Sequence, residues 1–334
     1  MTPDRTWWLG LLLVTVVVYA GHVRQAGFIY EDAQWMRATE TAPTFTGSRP
    51  LMRWSWWAQS RWTPGPEAVH SVNVLLHLAV GLLAGLLALR LGLSRLAAWF
   101  MAAFALLHPG HVQAVAYGAA RPELLAAIGV IGACVAALSE SRWRWLVVGV
   151  CVAFGFAGKE SAVIAFALVP LTLWARARPW KTATCLGVAL SASVAAWYGP
   201  RLINLGERAA NSTSLDVSTT AGAWLLTQSA AAFRLIGLTL WPAGLSVEYP
   251  PAALSAQVVA AVALLALVAA TWMLRSSHRL LAYGLMWTLL SLIPRFLVQT
   301  PRSSLNDHQF YTPSLGLILA GVALWDGWPR EATA

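Results

Sequence analysis

Apolar residues in this chain do not alternate with polar ones. They run in long stretches, broken by short polar interruptions, from near residue 7 to near residue 326. Such stretches read as membrane helices, for which about 20 residues cross the hydrocarbon. The pattern predicts helices at 7–21, 67–91, 95–108, 122–139, 143–158, 161–175, 182–199, 253–274, 280–298 and 310–326. Two longer polar stretches interrupt the series, a first loop at 22–66 and a second at 200–252. The expectation is an all-α polytopic membrane protein with about ten transmembrane helices, built as one domain over 1–334 with no soluble domain.

Composition agrees with the pattern. Of 334 residues, 58% are hydrophobic and 11% charged, against about 25% charged in an ordinary soluble chain. Cys134, Cys151 and Cys185 sit in apolar stretches and are expected as buried free thiols, not as a disulfide framework or a metal site. The formal net charge of +9 divides into two groups. Arg90 with Arg95, Arg142 with Arg144, Arg176 with Arg178 and Lys181, and Arg275 with Arg279 occupy short loops. By the positive-inside rule these are cytoplasmic, and both termini join them. A full span at 221–241 would break that order. The segment is therefore expected as a surface-lying or re-entrant piece, anchored by Trp224 and Trp241.

The second group of cations has no such explanation. Arg24, Arg37, Arg49, Arg53 and Arg61 lie in the first outer loop, and Arg121, Lys159, Arg201, Arg208, Arg234, Arg295 and Arg302 fall on the same side. Cations that orientation does not require point to an anionic ligand at the membrane surface, and phosphate is the obvious one. No nucleic-acid partner is implied.

The polar residues at that side form four clusters. "FIYEDAQW" holds the adjacent acids Glu31 and Asp32. "HPGHVQAVAYGAARPELLA" holds His108, His111, Gln113, Arg121 and Glu123. "GKES" holds Lys159 and Glu160, and "NDHQFYTPS" holds Asp307, His308 and Tyr311. Each stands at the end of an apolar helix, and convergence of all four on one face is a stronger signal than any one alone. The first loop also carries "RPLMRWSWWAQSRW" at 49–62, an aromatic-basic strip that fits an interfacial helix, a lid whose indoles stack on sugar rings, or both.

In order along the chain, "FIYEDAQW", "RPL", "HSVNVLLHLAVGLL", "LLHPGHVQAVAYGAARPELLA", "GFAGKESAV", "WPAGLSVEYP" and "FYTPSLG" resemble the membrane part of the transmembrane and tetratricopeptide-repeat O-mannosyltransferases. Those are glycosyltransferases of the GT-C fold, with the protein O-mannosyltransferases and lipid A aminoarabinose transferases as relatives. The resemblance implies a GT-C-type bundle and inverting transfer of a sugar from a polyprenyl-phosphate donor to a hydroxyl of a protein or glycolipid. It places the chain in a bacterial-type inner membrane with its site facing the periplasm or exterior. Asp32 matches the second acid of the family's pair and is expected as the general base, oriented by Glu31. Lys159 and Arg121 are expected to hold the donor phosphate, restrained by Glu160 and Glu123, with Arg234, Arg295 and Arg302 next in line. His108 and His111 line the same pocket in this reading. The chain departs from the pattern at Gln113, where the family often has glutamate, and at Asp307–His308, where it has an acid–arginine pair. These departures leave divalent-metal dependence open and admit a catalytically inactive scaffold subunit. A lipid-linked sugar transporter or flippase is the further alternative.

Overall fold

A computed structural model describes residues 3–25, 27–29, 31–43, 49–180, 221–246, 249–297 and 306–327. The expected helix at 182–199, Cys185, Lys181, Arg201, Arg208 and Arg302 lie outside the described residues. Within them the structure is helical, with no strand. In chain order the helices are α1 (Arg5–Gln25), α2 (Asp32–Arg37), α3 (Pro50–Trp62), α4 (Pro66–Arg90), α5 (Arg95–Leu107), α6 (Val112–Ala116), α7 (Arg121–Ala137), α8 (Arg144–Gly158), α9 (Ala165–Ala175), α10 (Ala221–Leu240), α11 (Leu254–Leu274), α12 (Arg279–Leu297) and α13 (Tyr311–Asp326). Short 3₁₀ turns at Pro109–His111, Gly118–Ala120, Glu160–Ile164 and Asp307–Phe310 join several of them.

Helix ends follow local chemistry. Pro50, Pro66 and Pro122 stand in first turns, where a missing N–H costs no helical bond. Pro109 stops α5, and the His108 side chain accepts a bond from the Gly110 N–H. At the opposite end of the bundle Ser94 caps α5. Asp326, at the end of α13, takes both the Ser94 N–H at 2.9 Å and its hydroxyl at 2.6 Å.

α4 and α7 form the centre. α4 packs on α1, α5 and α7, and α7 packs on α8 and α9, while α12 and α13 pair beside them. α1 and α11 are peripheral and turn most of their apolar side chains outward, including Leu13, Val17, Val259 and Leu265. Outward apolar surface of this kind suits lipid, not water. Among the described residues five helices are long and apolar enough to cross a membrane: Arg5–Gln25, Pro66–Arg90, Gly118–Ala137, Gly222–Leu240 and Leu254–Leu274. Other segments expected to span form shorter helices, such as α5 with 13 residues and α8 with 15. Cys134 and Cys151 are free thiols, as expected.

α10 is one continuous helix of 20 residues. Its two ends touch the same end of the bundle. Near its start the Trp224 indole donates to the Phe296 carbonyl, at the end of α12, while Thr227 meets Gln257 in the first turn of α11. Near its finish the Thr239 carbonyl accepts from His108, which follows α5. Both ends of α10 thus contact the same end of the bundle.

Helix crossings depend on glycine where backbones meet. A Cβ on Gly316 of α13 would lie 2.6 Å from the Gly284 carbonyl and 2.6 Å from Thr288 Oγ1 on α12. Gly321, on the same helix, has nothing within 4 Å. Gly316→Ala is therefore expected to cost about 1–3 kcal/mol and to lower the thermal midpoint of the detergent-solubilised protein. Gly321→Ala should leave it unchanged. Equal midpoints for the two variants would contradict this packing.

Candidate functional site

All four polar clusters meet at one end of the bundle, and the bonds between them are specific. Asp32 from the first loop reaches the turn before α7. Its Oδ1 accepts the Ala119 N–H at 2.7 Å, and its Oδ2 accepts those of Gly118 and Ile29, each at 3.3 Å. No side chain fits at Gly118, where a Cβ would stand 2.9 Å from Asp32 Oδ1 and 2.7 Å from Val69. Asp32 has no exposed surface, and burial raises its carboxyl above the ordinary range against the pull of those three N–H groups and Arg121. Glu31, one residue earlier, is exposed. Asp32 thus fixes the loop to the 118–120 turn, and Glu31 is the exposed acid of the pair.

Arg121 is fully buried and its guanidinium is committed: Nε donates to Asn73 at 2.9 Å, Nη1 to Ser55 at 3.2 Å, and Nη2 to Gln59 at 2.7 Å and the Val69 carbonyl at 3.2 Å. The Trp56 ring lies 5.0 Å from its centre. Five groups on α3 and α4 thus surround one cation, which ties α3 to the bundle. Trp56 is accordingly buried, while Trp62 of the same strip is exposed.

The cations that remain available are others. Lys159, between α8 and α9, pairs with Glu123 of α7, and Glu160 accepts Arg49 Nε at 3.1 Å. Arg49 occupies left-handed backbone, φ 51°, at the cap of α3. Ala177, after α9, shares that conformation with φ 53°. Arg295 of α12 donates to Gln228 Oε1 on α10 at 2.6 Å. His308 stands among them: its backbone N–H donates to Gln113 Oε1 at 2.5 Å and its ring lies 6.2 Å from that of Tyr117. The charges of Glu123, Lys159, Arg49 and Arg295 all reach the His308 ring, and burial pushes its imidazole down to about 4, so it is neutral at pH 7. Two ion pairs, Arg49–Glu160 and Lys159–Glu123, therefore lie at the same end of the bundle as Arg295 and a neutral histidine.

The remaining predicted residues lie nearby in the fold. Asp307 accepts the Tyr249 hydroxyl at 2.7 Å, and Arg234 lies over the Tyr249 ring at 4.2 Å. Arg234 is exposed and its charge acts on Asp307. Tyr311 donates to His77 Nδ1 at 2.6 Å, His77 Nε2 donates to the Leu106 carbonyl, and His111 bridges the Ala105 carbonyl and Ser314. With His108 held between Gly110 and Thr239, the ring nitrogens of these three histidines are taken up by the protein. They stitch α4, α5 and α13 together. Among the described residues no group of three His, Cys, Asp or Glu side chains is arranged to hold a metal ion.

Sequence reasoning missed Asn73 and His77, and with them His70. Their spacing of three and four residues puts all three on one face of α4, an unusual polar stripe in an apolar helix. It also missed Gln59 and Gln228, which nothing local distinguishes.

Comparison with family models, with curated proteins and with solved structures finds no match to this chain.

Proposed function

We propose that this chain is a membrane glycosyltransferase that moves a sugar from a polyprenyl-phosphate donor to an acceptor hydroxyl, as its resemblance to the GT-C O-mannosyltransferases implies. The observation that carries the reading is the presence of Arg49, Lys159 and Arg295 at the polar end of an otherwise apolar bundle. A lipid phosphate needs cations near the headgroups with apolar helix sides beside them for its tail, and basic side chains at the end of apolar helices support that fit.

The reaction needs cations on one side of the anomeric carbon and a base on the other. Arg49, Lys159 and Arg295 are assigned to the phosphate, whose negative charge grows as the glycosidic bond breaks. Glu123 and Glu160 hold the two outer cations until the donor enters. Glu31 is assigned as the base that takes the acceptor's proton, and Asp32 as the residue that positions it. Roughly ten spans, with these cations on the outer face, complete the proposal.

The test uses purified protein and a panel of polyprenyl-phosphate esters of mannose, glucose and aminoarabinose, with membrane extract as acceptor. Free polyprenyl phosphate is expected to accumulate with at least one donor. A panel that binds and is never turned over would sink the enzyme reading and leave a binding or transport role.

A further inference from the structure

The end of the bundle opposite the polar clusters carries a second basic surface, at the turn from α7 into α8. The turn reads "SESRWRW" over 139–145. α8 starts there and runs to Gly158, next to Lys159. Arg142 lies over the Trp143 ring and Arg144 over the Trp145 ring, each at 5.1 Å. A guanidinium resting on an indole face keeps its N–H groups, which lie in its own plane, for another partner. Among the described residues neither Arg142 nor Arg144 gives them to a hydrogen bond or an ion pair. The acid of the turn is already taken. Glu140 pairs with Arg178, whose Nη1 also donates to the Leu138 carbonyl at 3.1 Å. The turn is thus braced by the segment after α9 and presents two arginines with no carboxylate of their own. Beyond it, α8 turns Leu146, Val147 and Val150 outward on one face, next to an exposed Trp143.

We infer that this corner holds a phospholipid with an anionic headgroup, its phosphate against Arg142 and Arg144 and an acyl chain along Leu146, Val147 and Val150. The inference does not depend on the proposed reaction. Helix length supports it. The 15 residues of α8 span about 22 Å, less than the roughly 30 Å of bilayer hydrocarbon. Side chains that flank so short a helix stay at the level of the lipid phosphates and do not stand out in water. Charge then selects the headgroup. Two uncompensated cations favour a lipid with net negative charge over a zwitterionic one, whose ammonium they repel. The outward apolar face selects a lipid over a free phosphate, which would leave that face unused. Setting the orientation of the chain requires only positive charge in a loop. Two guanidiniums held on indoles, in a turn braced by Arg178, are fixed in place as well.

The full chain, purified in a nonionic detergent, is titrated with phosphatidylglycerol and with phosphatidylcholine of the same acyl chains while its thermal midpoint is followed. Phosphatidylglycerol is expected to raise the midpoint at the lower concentration. Arg142→Gln/Arg144→Gln should increase the phosphatidylglycerol needed for half the effect by about thirtyfold, the loss expected for two basic groups beside an anionic headgroup. Its response to phosphatidylcholine should match wild type. Arg275→Gln/Arg279→Gln removes the same charge from the turn between α11 and α12 and should keep the wild-type response to both lipids. Arg142→Gln alone, at an exposed position, should show about a fivefold change and decides the matter if the double variant is unstable without lipid. Equal action of the two lipids on wild type would overturn the inference. So would equal losses in the two double variants, which would make the effect one of diffuse surface charge. A midpoint shift that inorganic phosphate reproduces would mean a bare anion site, and one that depends on protein concentration would mean a second copy of the chain; either would overturn it too.

Discussion

Glu31→Gln is expected to lower glycosyl transfer by roughly 10²–10⁴-fold, the usual loss when a general base is removed, with the thermal midpoint of wild type. The exposed carboxylate makes no contact that the fold needs. Asp32→Ala should behave in the opposite sense. It strands the N–H groups of Ala119, Gly118 and Ile29 in a buried turn, and unpaired buried groups cost about 1–3 kcal/mol each. The protein should therefore lose stability first, and activity only as the turn moves. Transfer rates and midpoints measured on the same preparations decide it. Near-normal turnover in Glu31→Gln would return the base to Asp32 or remove the acid pair from the chemistry.

The second large effect concerns the cations. Lys159→Met is expected to reduce turnover by roughly 10²–10³-fold, in line with loss of one group that stabilises developing charge. It also leaves the buried Glu123 without its partner, so the double variant Lys159→Met/Glu123→Gln is the proper control for folding. That double variant should recover the midpoint and remain inactive. Arg121→Met should instead fail to fold, because Asn73, Gln59 and the Val69 carbonyl all lose a buried charged donor at once. Such a loss is typically worth about 3–5 kcal/mol. A folded, donor-binding Arg121→Met protein would show that the buried network is dispensable.

Where the sequence was readable and where it was not follows from distance along the chain. The helices at 67–91, 122–139 and 253–274 announce themselves because an apolar run is a local property, and α4, α7 and α11 lie there. The meeting of the four polar clusters was legible too, since alternating spans bring every second loop to one face. The roles of individual residues were not. Glu31 and Asp32 are neighbours at the start of a short helix, where one step turns a side chain by about 100°, so only the packed turn at Gly118 decides which faces inward. Arg121 looks like a free cation at a helix start until Asn73 and Gln59, about 50 and 60 residues earlier, are seen to close around it. Arg49 and Arg295 carried only the general signal of outer cations, because their partners Glu160 and Gln228 lie on distant segments.

The central claim is that Arg49, Lys159 and Arg295 hold a lipid-borne phosphate, and native mass spectrometry of the protein purified from membranes tests it most directly. Wild type is predicted to carry a polyprenyl phosphate or its glycosyl ester as a bound adduct, and Arg49→Gln combined with Lys159→Met/Glu123→Gln is predicted to lose it while remaining folded. The same lipid-phosphate adduct in equal amount on both proteins, or none on wild type after reconstitution with polyprenyl phosphate, would contradict the claim.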